Sequence, residues 1–273
     1  MTSACPLWGK CSMKRILITF GFLCVPVLSL AALASDPSEV GIVLMHGKQG
    51  SPETVISGLA SNLESAGYAV STPTMPWSRD RIYDATVDDA MREIDQACGS
   101  LRKQGAKKII VAGQSLGANA AIRYAATRRE IDGLICLAPG HSPEASPMRE
   151  RRANDVERAK QMIEEGNANR PVQFTDANMG RAFQIVVRPD VYFSWMDPEG
   201  PAVMPNNAAS IRRPIPILYI VGNMDPWATP KGYIFDQAPY HPKSRFVTVP
   251  ADHLGVPSAG IDEVLSWLES LPQ

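Results

Sequence analysis

The sequence is poor in the residues that build metal centres, disulfide frameworks and nucleic-acid surfaces. Its 273 residues include only four histidines and five cysteines, and their spacing resembles no metal-binding motif. There is no long run of like charges, no low-complexity tract and no internal repeat, and the formal net charge is −1. A basic face for nucleic acid is therefore not indicated. We expect no metal, no other cofactor and no nucleic-acid partner.

The few cysteines are unevenly placed. Cys5, Cys11 and Cys24 all precede residue 35, so only Cys98 and Cys136 belong to the rest of the chain. These two fall on a predicted helix and a predicted strand, where a buried free thiol is the commonest state. A disulfide between Cys98 and Cys136 is the less favoured alternative, which is chemically permitted if the protein is exported.

Residues 1–34 have the features of an N-terminal extension followed by a signal peptide. Residues 13–15 supply a positively charged start, residues 16–25 an apolar segment, and residues 32–34 small side chains suited to cleavage before Ser35. The uncharged stretch 16–34 could instead cross a bilayer once as an anchor. The sequence predicts an exported protein, periplasmic or secreted, with a membrane contact only if this segment stays uncleaved.

Beyond residue 40, apolar runs alternate with helical patterns, which is typical of a parallel sheet covered by helices. The sequence therefore predicts one α/β domain over residues 35–273, with a mostly parallel central sheet of about six strands flanked by helices. The predicted strands are 40–45, 68–71, 109–112, 132–137, 215–221 and 245–249, and the clearest predicted helices are 53–66, 84–104 and 261–271.

Residues 140–213 interrupt this alternation. They contain a charged helix at about 148–165 and an aromatic stretch at 191–196. A structureless loop of that length is improbable inside a compact domain, and we interpret the segment as a cap or lid over the site. The alternative is a surface insertion far from the chemistry. Arginines and an acid are mixed at residues 149–152, and we expect this cluster to form a solvent-exposed helix face and not a binding site.

The most informative motif is Gly113-Gln114-Ser115-Leu116-Gly117. A short β-branched run precedes it and an alanine-rich stretch follows it, as a strand and a helix would. Glycines two positions before and after the serine permit a very tight turn. This is the strand–turn–helix context of a G-x-S-x-G nucleophile elbow, which predicts Ser115 as a nucleophile. A helix-capping serine is the alternative.

A serine hydroxyl needs a neighbouring base and a group that orients this base. His253 follows the last predicted strand, at the sheet edge from which Ser115 projects, and is the predicted base. Asp225 follows the strand at 215–221 and is the predicted orienting carboxylate, although an aspartate before proline also forms turns. Asp252 and Glu144 are weaker candidates for that role.

The oxyanion of an acyl transfer needs hydrogen-bond donors. The amide of Leu116, directly after the nucleophile, is one predicted donor. The glycine-containing loop after the first strand supplies the second, and there the Lys48 amide is preferred over that of Gln49. A glycine turn needed only to leave the strand is the alternative.

Aromatic and histidine side chains near the predicted strand ends are candidates for lining a substrate pocket. An apolar acyl or alcohol group is the natural guest of such a lining, whereas core packing explains any single aromatic residue equally well. The candidates are His46, Trp77, His141, Trp195 and Trp227.

The elbow and the chain order Ser115, Asp225, His253 resemble the α/β-hydrolase superfamily. The phrase Met45-His46-Gly47-Lys48-Gln49-Gly50 is most similar to the dienelactone-hydrolase and small-esterase branches. The resemblance implies the α/β-hydrolase fold, a Ser–Asp–His triad and an oxyanion loop at His46. The sequence departs from these branches in lacking the glycine run of lipase oxyanion loops, and in carrying serine where dienelactone hydrolases carry cysteine.

Together these observations predict an exported serine hydrolase that cleaves small-molecule carboxylic esters through an acyl-enzyme intermediate. The sequence leaves the physiological substrate and the oligomeric state open. Amide or peptide hydrolysis by the same triad is one alternative, and a non-catalytic envelope protein that binds a ligand on the same fold is another.

Overall fold

The computed structural model describes Gly9, residues 36–128 and residues 130–271, and a parallel six-stranded sheet lies at its centre. The predicted N-terminal extension, signal peptide and anchor lie outside the described residues. The strands are β1 (Val40–Met45), β2 (Ala69–Ser71), β3 (Lys108–Gln114), β4 (Gly133–Leu137), β5 (Val172–Asn178), β6 (Arg181–Val187), β7 (Ile217–Gly222) and β8 (Arg245–Val249). The central sheet has the order β2-β1-β3-β4-β7-β8, and every neighbouring pair in it is parallel.

The inner strands β1, β4 and β7 are apolar along their whole length because helices cover both faces of the sheet. Every residue of β1, β4 and β7 is buried. The helices are α1 (Ser57–Ser65), α2 (Val87–Lys103), α3 (Leu116–Thr127), α4 (Ser146–Glu164), α5 (Pro189–Met196), α6 (Met204–Ala209), α7 (Val256–Ala259) and α8 (Ile261–Glu269). Short 3-10 turns occupy Pro37–Glu39, Lys231–Tyr233 and Phe235–Gln237.

The register of the sheet brings distant chain segments to one edge. Met45 pairs with Gly113, and Gln114 pairs with Leu137 on the next strand. The strands are parallel, so the loops that follow β1, β3, β4, β7 and β8 all leave the sheet at its carboxyl edge. In an open parallel sheet this edge is where ligand sites form.

Between β4 and β7 the chain makes a long excursion, residues 138–216, which we call the insertion. It contains α4, an antiparallel hairpin of β5 and β6, α5 and α6. The hairpin turns through Met179 and Gly180, whose φ angles of 48° and 77° are both positive. Two positive φ values are required by the tight turn that matches the twist of a two-stranded ribbon.

The predicted α/β architecture with a mostly parallel six-stranded sheet is confirmed. Helix α4 and α5 fall at the predicted charged helix and aromatic stretch, but the β5–β6 hairpin was not predicted. Cys98 and Cys136 are both buried free thiols, as expected. Within the described ranges, no helix has the length and apolar character needed to cross a bilayer.

Candidate active site

Ser115 lies at the turn between β3 and α3 in a backbone conformation that non-glycine residues rarely adopt. Its φ and ψ are 55° and −117°. Four backbone hydrogen bonds hold Ser115 in this conformation. Its N–H donates to Leu137 O, and its carbonyl accepts from the N–H groups of Ala118, Asn119 and Gly140. A strained conformation of this kind costs about 1–3 kcal/mol and persists only where the surroundings enforce it.

The two glycines of the motif permit this turn through close approach. A Cβ on Gly113 would lie 2.2 Å from the carbonyl carbon of Gly117, and one on Gly117 would lie 2.5 Å from Met45 O. No side chain fits at either position. The sequence therefore allows α3 to begin directly against β1 and β3, which presents the half-buried Ser115 hydroxyl at the sheet edge.

The structure brings the three predicted triad residues together. His253 Nε2 lies 2.9 Å from Ser115 Oγ, and His253 Nδ1 lies 2.7 Å from Asp225 Oδ2. The second carboxylate oxygen of Asp225 accepts the N–H of Trp227 at 2.8 Å. An ionised carboxylate only accepts hydrogen bonds, so His253 carries its proton on Nδ1 and presents the Nε2 lone pair to the serine hydroxyl.

The two weaker carboxylate candidates have other partners. Asp252 Oδ1 accepts the N–H of Gly255 at 2.8 Å, and Glu144 accepts the hydroxyl of Tyr233. Burial raises the pKa of Glu144. Neither carboxylate forms a hydrogen bond with His253 in the described part of the chain.

Two amides near Ser115 are free to donate. Leu116 is the first residue of α3, and an N–H in the first turn of a helix has no partner within the helix. In the loop after β1, the Gln49 amide donates to Trp77 O at 2.9 Å, whereas the Lys48 amide has no backbone acceptor within the described residues. Of these two amides, that of Lys48 is the one without a backbone acceptor in the described residues, and its role as an oxyanion donor stays a prediction.

His46 and Trp77 form hydrogen bonds around the loop after β1 and do not line the cavity described next. His46 Nε2 accepts the N–H of Met75 at 3.1 Å, and its Nδ1 lies 2.8 Å from Gly47 O. Burial lowers the pKa of His46, which favours the neutral ring that these bonds require. Trp77 Nε1 donates to His46 O at 2.8 Å. We expected His46 and Trp77 to line the substrate pocket, but neither does. Both residues instead hold the loop after β1 in place.

Trp195 is also buried away from the cavity, but it orients a residue that lines it. Its Nε1 donates to Ala85 O at 3.0 Å, and its carbonyl lies 2.8 Å from His141 Nε2. His141 therefore donates from Nε2, which leaves the buried Nδ1 without a hydrogen-bond partner in the described structure. Burial, reinforced by the cations of Lys48 and Arg152, lowers the pKa of His141 well below its ordinary value.

A cavity of about 550 Å³ opens over Ser115 and His253. Trp227, 44% exposed, stands beside His253 in an edge-on contact with the ring centroids 5.7 Å apart. The loop after β1, the insertion and the loop after β7 all contribute walls. The remaining side chains that line the cavity include Pro139, Ser142, Pro147, Met148, Asn178, Met179, Thr229 and Tyr233.

A buried charge cluster joins the loop after β1 to the insertion. Lys48 Nζ lies 2.8 Å from Asp176 Oδ1 and 3.0 Å from Oδ2, and Arg152 Nη2 lies 2.6 Å from the same Oδ1. The side chains of all three residues are at most 4% exposed. Burial lowers the pKa of Lys48 to about 8, opposed by the charge of Asp176. Burial alone would raise the pKa of Asp176, but the two cations hold it below its ordinary value.

This cluster corrects one expectation and was otherwise missed. Arg152 does not lie on a solvated helix face but is buried and lines the cavity, while Arg149 and Arg151 are exposed. Sequence reasoning missed Asp176 because a charged residue at a fully buried position of β5 interrupts the apolar alternation by which a strand is recognised. Across the described ranges, no group of three or more histidine, cysteine or acidic side chains could hold a metal ion.

The sequence matches one known protein family. Residues 42–267 match the family described as "Alpha/beta hydrolase family". No curated protein matches the sequence.

Many solved structures share the fold, and the three described below do so at low sequence identity. One is from work on two metagenome-derived lipolytic enzymes, with 16% identity and a TM-score of 0.60, covering 86% of this chain and 96% of that one. Another is a monoacylglycerol lipase from Paleococcus ferrophilus, with 21% identity and a TM-score of 0.58, covering 84% and 94%. A third is a siderophore hydrolase from Aspergillus fumigatus, with 15% identity and a TM-score of 0.61, covering 85% and 91%. At such identities the likeness is one of fold.

Proposed function

Because this chain belongs to the alpha/beta hydrolase family, we propose that it is a serine hydrolase that cleaves carboxylic esters through an acyl-enzyme intermediate. One observation carries the proposal, namely the hydrogen-bonded series from Ser115 Oγ through His253 to Asp225 at the mouth of a cavity. These are the nucleophile, base and orienting acid that acyl transfer needs.

In the first half of the reaction, Ser115 Oγ attacks the ester carbonyl and His253 Nε2 takes the hydroxyl proton. Asp225 keeps the other ring nitrogen protonated and stabilises the imidazolium that forms. When the tetrahedral intermediate collapses, the C–O bond to the alcohol breaks and His253 returns the proton to the departing oxygen. In the second half, water attacks the acyl-enzyme with the same proton transfers and releases the acid.

The amides of Leu116 and Lys48 are the proposed donors to the oxyanion of each tetrahedral intermediate. Removing one such donor typically costs about 2.7–4 kcal/mol of transition-state stabilisation. The hydrogen bond that ties Lys48 to Asp176 fixes the side chain of one donor residue, and His46 and Trp77 brace its loop. The amide is thus held in place before substrate arrives.

Esters are the proposed substrate class for two reasons. The lining includes apolar side chains such as Pro139, Met148 and Trp227, which suit an apolar acyl or alcohol group. Solved structures with the same fold are named as lipolytic enzymes, a monoacylglycerol lipase and a siderophore hydrolase, all of which are hydrolases by name.

The proposal is tested by labelling the purified protein with a fluorophosphonate, which forms a stable adduct with an activated serine. We expect one label, on Ser115, that disappears in Ser115→Ala and persists in Ser142→Ala, whose hydroxyl belongs to the same cavity. Aryl esters of graded acyl length should show a burst of the alcohol, because their good leaving group makes acylation faster than deacylation. Equal labelling of the wild type and Ser115→Ala would refute the nucleophile.

We also propose that the protein is exported, on the basis of the charged start, apolar segment and small residues within residues 13–34. N-terminal sequencing of the protein recovered from cells distinguishes the outcomes. A start at Ser35 supports cleavage and release, whereas an intact 16–34 segment would support the anchored alternative.

A further inference from the structure

The charged side chains that line the cavity all have the same sign. Lys48, Arg151 and Arg152 contribute to its walls, and no aspartate or glutamate does so among the residues the structure describes. Arg152 is 2% exposed and belongs to the buried charge cluster, whereas Arg151 is exposed at the rim. The whole chain has a formal charge of −1, so this concentration of cations does not follow from overall composition.

The cluster itself contains more positive than negative charge. One carboxylate, Asp176, accepts from both Lys48 and Arg152, and its Oδ1 also accepts the N–H of Ala177. Two buried cations thus share one anion. A buried charge without a counter-charge is costly, so this arrangement favours an additional anion nearby.

One hydrogen-bonding group of the cluster is unused. Arg152 Nη1 is buried and has no hydrogen-bond partner within the described ranges, although its Nη2 binds Asp176. A guanidinium can bind two carboxylate oxygens with paired N–H groups, and it has five N–H donors in total. Arg152, which lines the cavity, therefore retains one buried donor that the described residues do not use.

The acidic residues close to the cavity do not supply the missing anion. Both Asp225 oxygens are bound, to His253 and to the Trp227 amide. Glu144 accepts the hydroxyl of Tyr233, and within the described residues it forms no hydrogen bond or ion pair with a cation that lines the cavity. Burial also raises the pKa of that carboxyl, which disfavours its charged form. A ligand is the remaining source of negative charge for the cations that face the cavity.

We propose that the ester substrate of this site carries a carboxylate remote from the scissile bond, recognised by Arg152 and Arg151. The proposal rests on the serine-hydrolase function above and narrows its substrate class. The apolar part of the lining, which includes Met148 and Met179, then holds the chain that separates the carboxylate from the ester. The substrate is accordingly an amphiphilic half-ester or an ester of a hydroxy acid.

The test compares substrates that are matched in size and differ mainly in charge. Monomethyl adipate and methyl adipamate place a carboxylate or its neutral amide isostere in the acyl part. The para-carboxyphenyl and para-carbamoylphenyl butanoates do the same in the alcohol part. For the wild type we expect kcat/KM to favour the carboxylate by at least about fivefold in one series at low ionic strength. Raising the ionic strength from about 0.01 M to about 1 M shortens the Debye length from about 30 Å to about 3 Å and should shrink that preference.

Variants at the exposed rim keep the test independent of the buried cluster. Arg151→Gln should lower the carboxylate-to-amide ratio about two- to fivefold, the range of an exposed charge interaction, and Arg151→Glu should lower it further. Arg149→Gln is the matched control, because Arg149 is exposed on the same helix but borders a separate depression with Glu144 and Ser146. It should preserve the wild-type ratio.

The outcomes separate the two proposals. An enzyme that hydrolyses the neutral esters but shows no carboxylate preference in either series would overturn this inference and leave the serine-hydrolase function standing. A preference that survives Arg151→Glu unchanged would also overturn it. If no ester is cleaved and Ser115 takes no phosphonate, the hydrolase function itself fails.

Discussion

His253 Nδ1 lies 2.7 Å from Asp225 Oδ2, although 28 residues separate the two in the chain. Asp252, the immediate neighbour of His253, instead accepts the amide of Gly255. Asp252 and His253 lie in the loop after β8, where their side chains have different partners, so proximity in sequence was a poor guide here. The loop after β7 supplies the carboxylate because it leaves the sheet at the same edge as Ser115.

This relationship predicts different effects for two similar substitutions. Asp225→Asn should lower kcat by about 10⁴-fold, because an amide can donate to Nδ1 and stabilise the ring tautomer that cannot accept the serine proton. Asp252→Asn keeps an oxygen acceptor for Gly255 and should change kcat by no more than about twofold. Steady-state kinetics on an aryl ester measures both. Similar losses in the two variants would contradict the assignment of Asp225.

The buried cluster predicts an effect on folding. Asp176→Asn leaves Lys48 and Arg152 without their anion and should lower the free energy of unfolding by about 3–5 kcal/mol, the range for breaking a buried pair. Asp236→Asn breaks the surface pair with Lys231, whose side chains are 54% and 47% exposed. That control should cost less than about 1 kcal/mol. Urea denaturation compares them, and equal losses would mean that the cluster contributes no more than a surface pair.

The sheet and its edge could be predicted from sequence because their signals are local. The apolar run of β3 and the glycines around Ser115 lie within a few residues of one another, and parallel strands bring their carboxyl ends together whatever their order. The positions of Ser115, Asp225 and His253 at one edge follow from those local patterns. Their distances depend on loop conformations, which the sequence left open.

The β5–β6 hairpin and the charge cluster could not be predicted in the same way. Asp176 occupies an inward position of β5, so a charged residue stands where the alternating pattern of a strand calls for an apolar one. Its partner Lys48 is 128 residues away. Asp176 can be buried there because the cation of Lys48 pairs with it. The local sequence around Asp176 contains no sign of a partner so far away in the chain.

Gly140 predicts a steric effect on catalysis that leaves the fold intact. A Cβ at this position would lie 2.8 Å from Ser115 Oγ and 3.5 Å from His253 Cε1. Gly140→Ala should therefore displace the hydroxyl and lower kcat/KM by about 10²-fold, as a misplacement of about 1 Å does. Gly99→Ala, in α2 with no heavy atom within 4 Å of the added carbon, is the control. It should keep full activity and gain about 0.5–1 kcal/mol of stability. Wild-type activity in Gly140→Ala would show that the site accommodates the methyl group.

The buried imidazole of His141 predicts how stability depends on pH. Its pKa in the folded protein lies well below the ordinary value of 6.5, because burial and the nearby cations of Lys48 and Arg152 disfavour the charged ring. Below about pH 6.5 the unfolded chain therefore binds more protons than the folded one, and the free energy of unfolding falls as pH falls.

His141→Gln removes that proton uptake while keeping an amide donor for Trp195 O, the acceptor of His141 Nε2 in the wild type. Urea denaturation at about pH 7 and about pH 5 should give a smaller loss of stability for the variant than for the wild type. His46, whose pKa is also lowered by burial, remains in both proteins and contributes equally to both. His241→Gln controls for the removal of an imidazole elsewhere. If the stability curves of His141→Gln and the wild type run parallel, His141 binds its proton equally well in the folded and the unfolded chain. That result would contradict the lowered pKa of the buried ring.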